Sequence, residues 1–409
     1  MAAAGSCGGT RVNGILRAGW LALLLGAAIC AAGPVRAAAL PKPQHVFIII
    51  LENEGFDETF GAGSPATYLK TLAKRGALLE NYYGIGHFSL DNYIALISGQ
   101  GPNPATQADC QTFTPFVQTG TAADGQAVGT GCVYPASVQT IAGQLAAKGL
   151  TWKAYMQDMG NILPREAATC GHPAIGAKDN TQKAVVGDEY ATRHDPFVYF
   201  AGIIDSPACK QNVVSFATLK GDLETVATTP NYVFITPNLC NDGHDGGEDG
   251  RKCVDGAPGG LVSADKFLSE TVPMILASPA YKQNGLLIIT FDEADIDVKI
   301  DKTAHKITLG IADAAACCGE PGGPNIPPGA TIFGSLKDTG PGIAGPGGGR
   351  IGAVLVSRYI APGTVTAAGY NHYALLRSVE DFFGLDHLGY AGQAQVRPFG
   401  ADVFTRPGA

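Results

Sequence analysis

Four runs of consecutive apolar residues punctuate the chain, and three of them stop at a polar turn. Val46-Phe-Ile-Ile-Ile-Leu51 ends at Glu52-Asn53, and Tyr232-Val-Phe-Ile-Thr236 ends at Pro237-Asn238. Leu286-Leu-Ile-Ile-Thr-Phe291 ends at Asp292-Glu293, and Ile351-Gly-Ala-Val-Leu-Val356 forms the fourth run. Runs without polar alternation suit strands covered on both faces, as in a parallel sheet. Helical spacing fills the intervals at 64–75, 136–148 and 265–276. Two further helices open on polar loops: Ser89 begins one that Gly99 stops, and His372 begins one that Gly384 stops. Thr151–Met156 reads as a short strand. Residues 101–134, 158–187 and 312–350 lack periodicity and read as loops, the last a Gly/Pro-rich rim or flap. Strand and helix alternate without a repeat of fixed period, which predicts one α/β domain with decorated loops. The polar turns then lie where open α/β sheets form their ligand crevice.

Composition narrows the class. With 409 residues, 45% hydrophobic and 16% charged, the chain builds a sizeable core and is not globally disordered. A net charge of −8 without a sustained run of Lys or Arg excludes a nucleic-acid surface. At the N-terminus, Arg11 and Arg17 precede an apolar stretch, Gly19–Ala32, with small residues following around Val35–Ala39. This predicts an export signal over residues 1–37, a mature domain over 38–409, and a secreted or periplasmic protein. The stretch is short for a membrane span, so no stable span is expected after cleavage; an uncleaved anchor is the competing reading. Ile29 before Cys30 argues against lipidation. Ten cysteines are present, and Cys7 and Cys30 fall in the leader, which leaves eight. In an exported chain these predict disulfides, with Cys110–Cys132, Cys170–Cys209 and Cys240–Cys253 as local pairs beside the adjacent Cys317 and Cys318.

The chemistry concentrates in the turns. Glu52 and Asn53 offer hard oxygen donors at one strand end, and Asp292 and Glu293 at another. Adjacent buried acids repel each other and favour a nearby cation. Ser89 stands where helix amides converge, a site that welcomes an anion, although a plain N-cap would use the same residue. The turn Asn238-Leu-Cys-Asn-Asp-Gly-His244-Asp245 is rich in ligand-type residues. His194 either reaches the site or satisfies its own loop. His372 at a helix start is disfavoured as a cation and suits a neutral, ligand-like imidazole, with core packing as the alternative. A metal held by carboxylates would polarise a phosphoryl group. A serine so activated would attack phosphorus and form a phospho-enzyme. Histidines would stabilise the phosphoryl oxygens or protonate the leaving group.

Six motifs, in order, carry a resemblance: His45–Gly61 with Leu-Glu-Asn, Gly86–Gly99 with His-x-Ser-x-x-Asn-Tyr, Arg193–Phe200, Thr236–Asp245, Ile289–Asp295 and Tyr370–Gly384. The chain resembles the bacterial phosphoesterase family of acid phosphatases and phospholipases C, within the alkaline-phosphatase-like superfamily. That resemblance implies a three-layer α/β/α sandwich with a mixed, mainly parallel central sheet. It assigns Glu52, Asn53, Asp292, Glu293 and Ser89 to one divalent metal ion, with Ser89 also the nucleophile. Asn92 would donate to a phosphoryl oxygen, and His87, His244 and His372 would line the phosphate pocket, with His194 and Asp245 as further candidates. Two-zinc members of the superfamily carry Asp-His where this chain has Asp292-Glu293, so a single ion of open identity is implied.

The substrate implied is a phosphate ester, a phospholipid headgroup included. A sulfatase would need x-Pro-x-Arg after its nucleophile, whereas Leu-Asp-Asn-Tyr follows Ser89. Phospholipase C members often carry extra C-terminal domains, and the present chain closes soon after Phe404, so a secreted phosphomonoesterase is expected. Two alternatives remain at this stage: a phospholipase C-type phosphodiesterase, and a metal-stabilised binding protein without turnover.

Overall fold

A computed structural model describes residues 41–247, 250–301, 306–311, 315–326 and 347–406. The leader expected at 1–37 and most of the Gly/Pro-rich insertion expected at 312–350 lie outside these residues.

An eight-stranded sheet forms the centre. Its strands in chain order are β1 (His45–Leu51), β2 (Ala77–Leu79), β3 (Trp152–Met156), β4 (Val213–Ser215), β5 (Tyr232–Thr236), β6 (Gly285–Phe291), β7 (Ala353–Ser357) and β8 (Thr364–Thr366). Across the sheet they lie in the order β8-β2-β7-β6-β1-β5-β3-β4. Only β7 runs against the others, pairing antiparallel with β2 and β6. The expected mixed, mainly parallel sheet is therefore present. Every residue of β1, β5 and β6 is buried. Successive side chains point to opposite faces, so total burial means that both faces are covered.

Four main helices provide much of that cover: α1 (Thr67–Arg75), α2 (Ser89–Ser98), α3 (Gly260–Ala277) and α4 (His372–Phe383). α1 packs with α3, and α2 packs with α4, completing three α/β/α layers. Gly99 and Gly384 end α2 and α4 in the left-handed region, as their positions in the sequence imply.

Several boundaries differ from the sequence reading for identifiable reasons. α1 begins at Thr67 rather than 64, because Pro65 holds residue 64 out of helix and Ser64 Oγ accepts the Ala66 amide. The helix expected from 136 spans Ile141–Ala147 and is capped by Thr140, whose side chain accepts from Gly143. α3 starts five residues before Asp265, at Gly260, directly after Gly259, which is left-handed (φ 74°). β7 starts at Ala353, since the amides of Ile351 and Gly352 both go to the Tyr82 carbonyl. An antiparallel hairpin, Ile296–Asp301 with Lys306–Ile311, follows the third polar turn and was not anticipated. All four cysteine pairs are bonded, Cys317 to its neighbour Cys318. Among the described residues no helix is long and apolar enough to cross a membrane.

Candidate active site

Strand register brings the acids together. In the parallel pairing of β1 with β6, Leu51 lies opposite Phe291, so Glu52 and Asp292 emerge side by side. The Asp292 amide donates to the Leu51 carbonyl at 2.8 Å, extending the ladder to the turn. On the other side of β1, the Glu52 amide donates to the Asp242 carbonyl at 2.9 Å, drawing in the turn after β5. Three strand ends thus deliver carboxylates to one place, and Glu52, Asp242 and Asp292 are fully buried.

Asn53 takes a left-handed backbone (φ 53°), which asparagine tolerates better than most residues. That turn aims its amide at Asp292 Oδ1, 3.0 Å away, and its Nδ2 at Glu293 Oε1, 2.9 Å away. Asn53 Oδ1 is left without a hydrogen-bond partner among the described residues.

The start of α2 faces this cluster. Ser89 is the first residue of the helix, and the preceding Phe88 adopts φ 82°, a region that a Cβ makes costly. Strain of about 1–3 kcal/mol at such a position persists only where surrounding contacts enforce it. Here the Phe88 amide is held by Glu293 Oε2 at 2.9 Å. Ser89 Oγ donates to Glu52 Oε2 at 2.7 Å, and the Tyr93 hydroxyl donates to Glu52 Oε1 at 2.5 Å. Residues 89 and 93 are one helical turn apart, so a single helix face satisfies both oxygens of one carboxylate.

The histidines divide into three groups. His194 stacks on Tyr93 with ring centroids 5.3 Å apart, its nitrogens 3.3 Å from Glu52 Oε2 and 3.2 Å from Asp242 Oδ2. Neither approach is aligned as a hydrogen bond. Burial lowers its pKa well below the usual value, and Arg193 and His244 lower it further, so the ring is neutral. His244 is the accessible one: Nδ1 meets Asp245 Oδ1 at 2.7 Å, and Arg193 Nη2 approaches Nε2 at 3.3 Å. His87 places Nδ1 2.7 Å from Glu293 Oε2.

Three expected contacts turn out to be internal. Both nitrogens of His372 are engaged, with the Tyr82 hydroxyl at 3.1 Å and the Asp292 carbonyl at 2.6 Å. Fully buried, its pKa lowered to about 4 by desolvation, it braces Asp292 from behind instead of lining a pocket. Asn92 donates to the carbonyls of Gly86 and Phe88 and accepts from Ile85 and Gly86, which clamps the loop before Ser89. Glu293 spends its oxygens on Asn53, Phe88 and His87.

The charge balance fits a cation. Burial first, then Asp292 and Asp242, raise the Glu52 pKa well above the carboxylate range. Burial also raises Asp242, Glu293 and Asp292, the last to about 6. Asp292 Oδ2, Asp242 Oδ2 and Asn53 Oδ1 are buried oxygens without hydrogen-bond partners among the described residues. Glu52, His194 and Asp242 also offer ligand atoms within 4.8 Å of one another. A divalent ion suits this mainly oxygen set with one imidazole.

Sequence reasoning did not assign Tyr93, Asp242 or Arg193. The four-residue step from Ser89 could have found Tyr93, and Asp242 stood in a turn already noted for its ligand types. Arg193, almost fully buried, contacts His244 and lies 3.8 Å from Asp109 Oδ2, whose other oxygen holds the Leu90 amide. No local signal marks that bridge.

A model of the phosphoesterase family matches residues 62–386. The phosphate-repressible acid phosphatase of Penicillium chrysogenum is 28% identical over 56% of this chain and 43% of its own. An acid phosphatase of Aspergillus niger is 26% identical over 60% of this chain and 46% of its own. The chain thus spans about half the length of these fungal relatives. The phosphatidylinositol-3-phosphatase of Mycobacterium tuberculosis is 23% identical over 94% of this chain and 90% of its own. A protein of the alkaline phosphatase superfamily from Vibrio parahaemolyticus superposes with a TM-score of 0.49 at 12% identity, over 90% of this chain and 73% of that one.

Proposed function

The chain belongs to the phosphoesterase family, and on that premise we propose that it is a secreted, metal-dependent phosphatase that hydrolyses phosphomonoesters through a phosphoserine on Ser89. The observation that carries this reading is the 2.7 Å hydrogen bond from Ser89 Oγ to buried Glu52, at the start of a helix and beside unsatisfied acidic oxygens. Glu52, Asn53 and Asp292 would hold the ion together with Ser89, and Asp242 and His194 border the same place. When bound, the ion supplies Lewis acidity, lowering the pKa of the serine hydroxyl and drawing charge from the phosphoryl group.

The chain's own groups do the rest. Glu52 orients Oγ and receives its proton. The amides at the start of α2 and the Arg193 guanidinium offer positive charge to phosphoryl oxygens. Attack of Oγ on phosphorus forms the Ser89 O–P bond and breaks the bond to the leaving alkoxide, which takes a proton. His244 stands at the accessible side, paired with Asp245. On this reading it gives that proton and later takes one from the water that cleaves phosphoserine, while Glu52 returns its proton to Ser89 Oγ as the O–P bond breaks. Glu293, Asn92 and His372 hold the frame: Glu293 and Asn92 the strained Phe88 turn, His372 the Asp292 carbonyl.

The test compares wild type and Ser89→Ala on a chromogenic phosphomonoester and a phosphorylcholine diester, each with and without chelator. Release from the monoester that falls by about three orders of magnitude in Ser89→Ala supports the reading, as does its loss on chelation. Preference for the diester would instead place the chain with phospholipase C-type phosphodiesterases. Equal inactivity of both folded, metal-restored proteins would favour a binding protein.

A further inference from the structure

The disulfide-stapled excursion over 101–134 reaches the candidate active site through Asp109. This residue directly precedes Cys110, which is bonded to Cys132, and both Asp109 and Cys110 are left-handed, at φ 50° and 47°. Their amides donate to the carbonyls of Thr106 and Ala105 at 3.0 and 2.9 Å, which closes the turn on itself. From there the two oxygens of Asp109 reach different elements. Oδ1 accepts the Leu90 amide at 3.1 Å, at the second residue of α2. Phe88 gives that helix no side-chain cap, so a carboxylate from another segment satisfies one of its orphan donors. Oδ2 lies 3.8 Å from Arg193 Nε. The Arg193 side chain is 3% exposed, and Asp109 is the only carboxylate paired with it among the described residues. Gln182 closes a ring: its Nε2 donates to the Asp109 carbonyl at 2.9 Å, and its own carbonyl accepts from Arg193 Nη1 at 3.2 Å. The remaining arm, Nη2, stands 3.3 Å from His244 Nε2.

A positive group that serves phosphoryl oxygens acts only when held at a fixed distance from the attacking atom. One carboxylate here touches both parts, the helix that begins with Ser89 and the guanidinium of Arg193. We propose that Asp109 is a positioning residue that sets Arg193 against Ser89 for recognition of the phosphoryl group. It touches no substrate itself and acts through Arg193 and the helix start. The assignment rests on the phosphatase reading for what Arg193 does. It gives the stapled excursion a duty at the site, which is to carry Asp109 there.

Asp109→Asn is the variant that separates these duties. It keeps an oxygen for the Leu90 amide, tolerates the left-handed backbone and removes the charge facing Arg193. Metal-restored full-length wild type, Asp109→Asn, Arg193→Gln and the double variant are titrated calorimetrically with inorganic phosphate. Each is also assayed on a chromogenic phosphomonoester and unfolded by heat. Asp109→Asn should weaken phosphate binding and lower kcat/KM by about tenfold, without a matching fall in unfolding temperature. In the Arg193→Gln background the same change should cost less than about twofold, because the group it positions is gone. A merely structural Asp109 would cost the same in both backgrounds. Gln182→Ala withdraws the amide that holds the Asp109 carbonyl and should also weaken phosphate binding; it decides the matter should Asp109→Asn or Arg193→Gln fail to fold. Equal losses in the two backgrounds would overturn the proposal, as would unchanged phosphate affinity in Asp109→Asn or Gln182→Ala. Folded wild type that binds no phosphate would overturn it too. Failure of the Ser89 reading would appear instead as turnover without serine dependence in the Ser89→Ala comparison, and would leave the phosphate titrations unchanged.

Discussion

Two hydroxyls converge on one carboxylate at Glu52, and they have different duties. In the proposed reaction Ser89 would be the group activated, while the Tyr93 hydroxyl holds the second oxygen of Glu52. Tyr93→Phe deletes that donor and preserves the ring stacked on His194. The expected result is a loss of activity by about 10–100-fold, as for removal of an outer partner of a metal-binding carboxylate. The fold should remain, and steady-state kinetics with circular dichroism check both. At this scale the sequence announced residue types well but their partners poorly. Glu52, Asn53, Ser89 and Asp292 were visible because each follows an apolar run or opens a helix. That His372 braces a carbonyl, and that Asn92 clamps its own loop, depends on contacts with Tyr82, Asp292 and Gly86 that a linear pattern does not encode.

Among the elements, the buried strands were the most legible, because consecutive apolar residues admit few alternatives. Helix starts were less so, since the cap can come from elsewhere. Asp265 of α3 accepts the Tyr68 and Leu69 amides at 2.8 Å each, capping α1 from about two hundred residues away in sequence. Asp265→Ala should cost about 1–2 kcal/mol of stability, read by denaturant unfolding, with activity per folded molecule unchanged. A smaller effect than a surface substitution would show that the α1–α3 contact holds without the cap. The hairpin after Asp295 illustrates a signal passed over. Ile296-Asp-Val-Lys-Ile-Asp301 alternates with the period of a strand, between a site motif and a Gly/Pro-rich stretch, yet no element was expected there. The short strands β2, β4 and β8, three residues each, carry too little pattern to be seen alone.

Over the whole molecule, buried acids are numerous enough to set the pH response. Glu380 on α4 is fully buried, and desolvation, with Asp381 and Asp386, raises its pKa to about 9. Glu166 is raised to about 7 by burial and Asp188, against Arg165. In an unfolded chain a glutamate ionises near about 4.3. Above that pH the unfolded state releases a proton that the native state retains, so these groups lower stability as pH rises. Each contributes up to about 1.4 kcal/mol per pH unit until its native pKa is reached. Glu380→Gln should therefore flatten the fall in stability between about pH 5 and 9, measured by urea unfolding of chelated protein across that range. An unchanged slope would mean that Glu380 is already ionised in the folded state.

The central claim is that Ser89 carries the phosphoryl group, and trapping that group tests it most directly. Metal-restored protein is mixed with a radiolabelled phosphomonoester and quenched in acid, where phosphoserine survives and phosphohistidine does not. The labelled peptide is then mapped. Label on the peptide containing Ser89, absent from Ser89→Ala, is the predicted result. Turnover without any acid-stable label, or label that follows His194 or His244 after an alkaline quench, would contradict it.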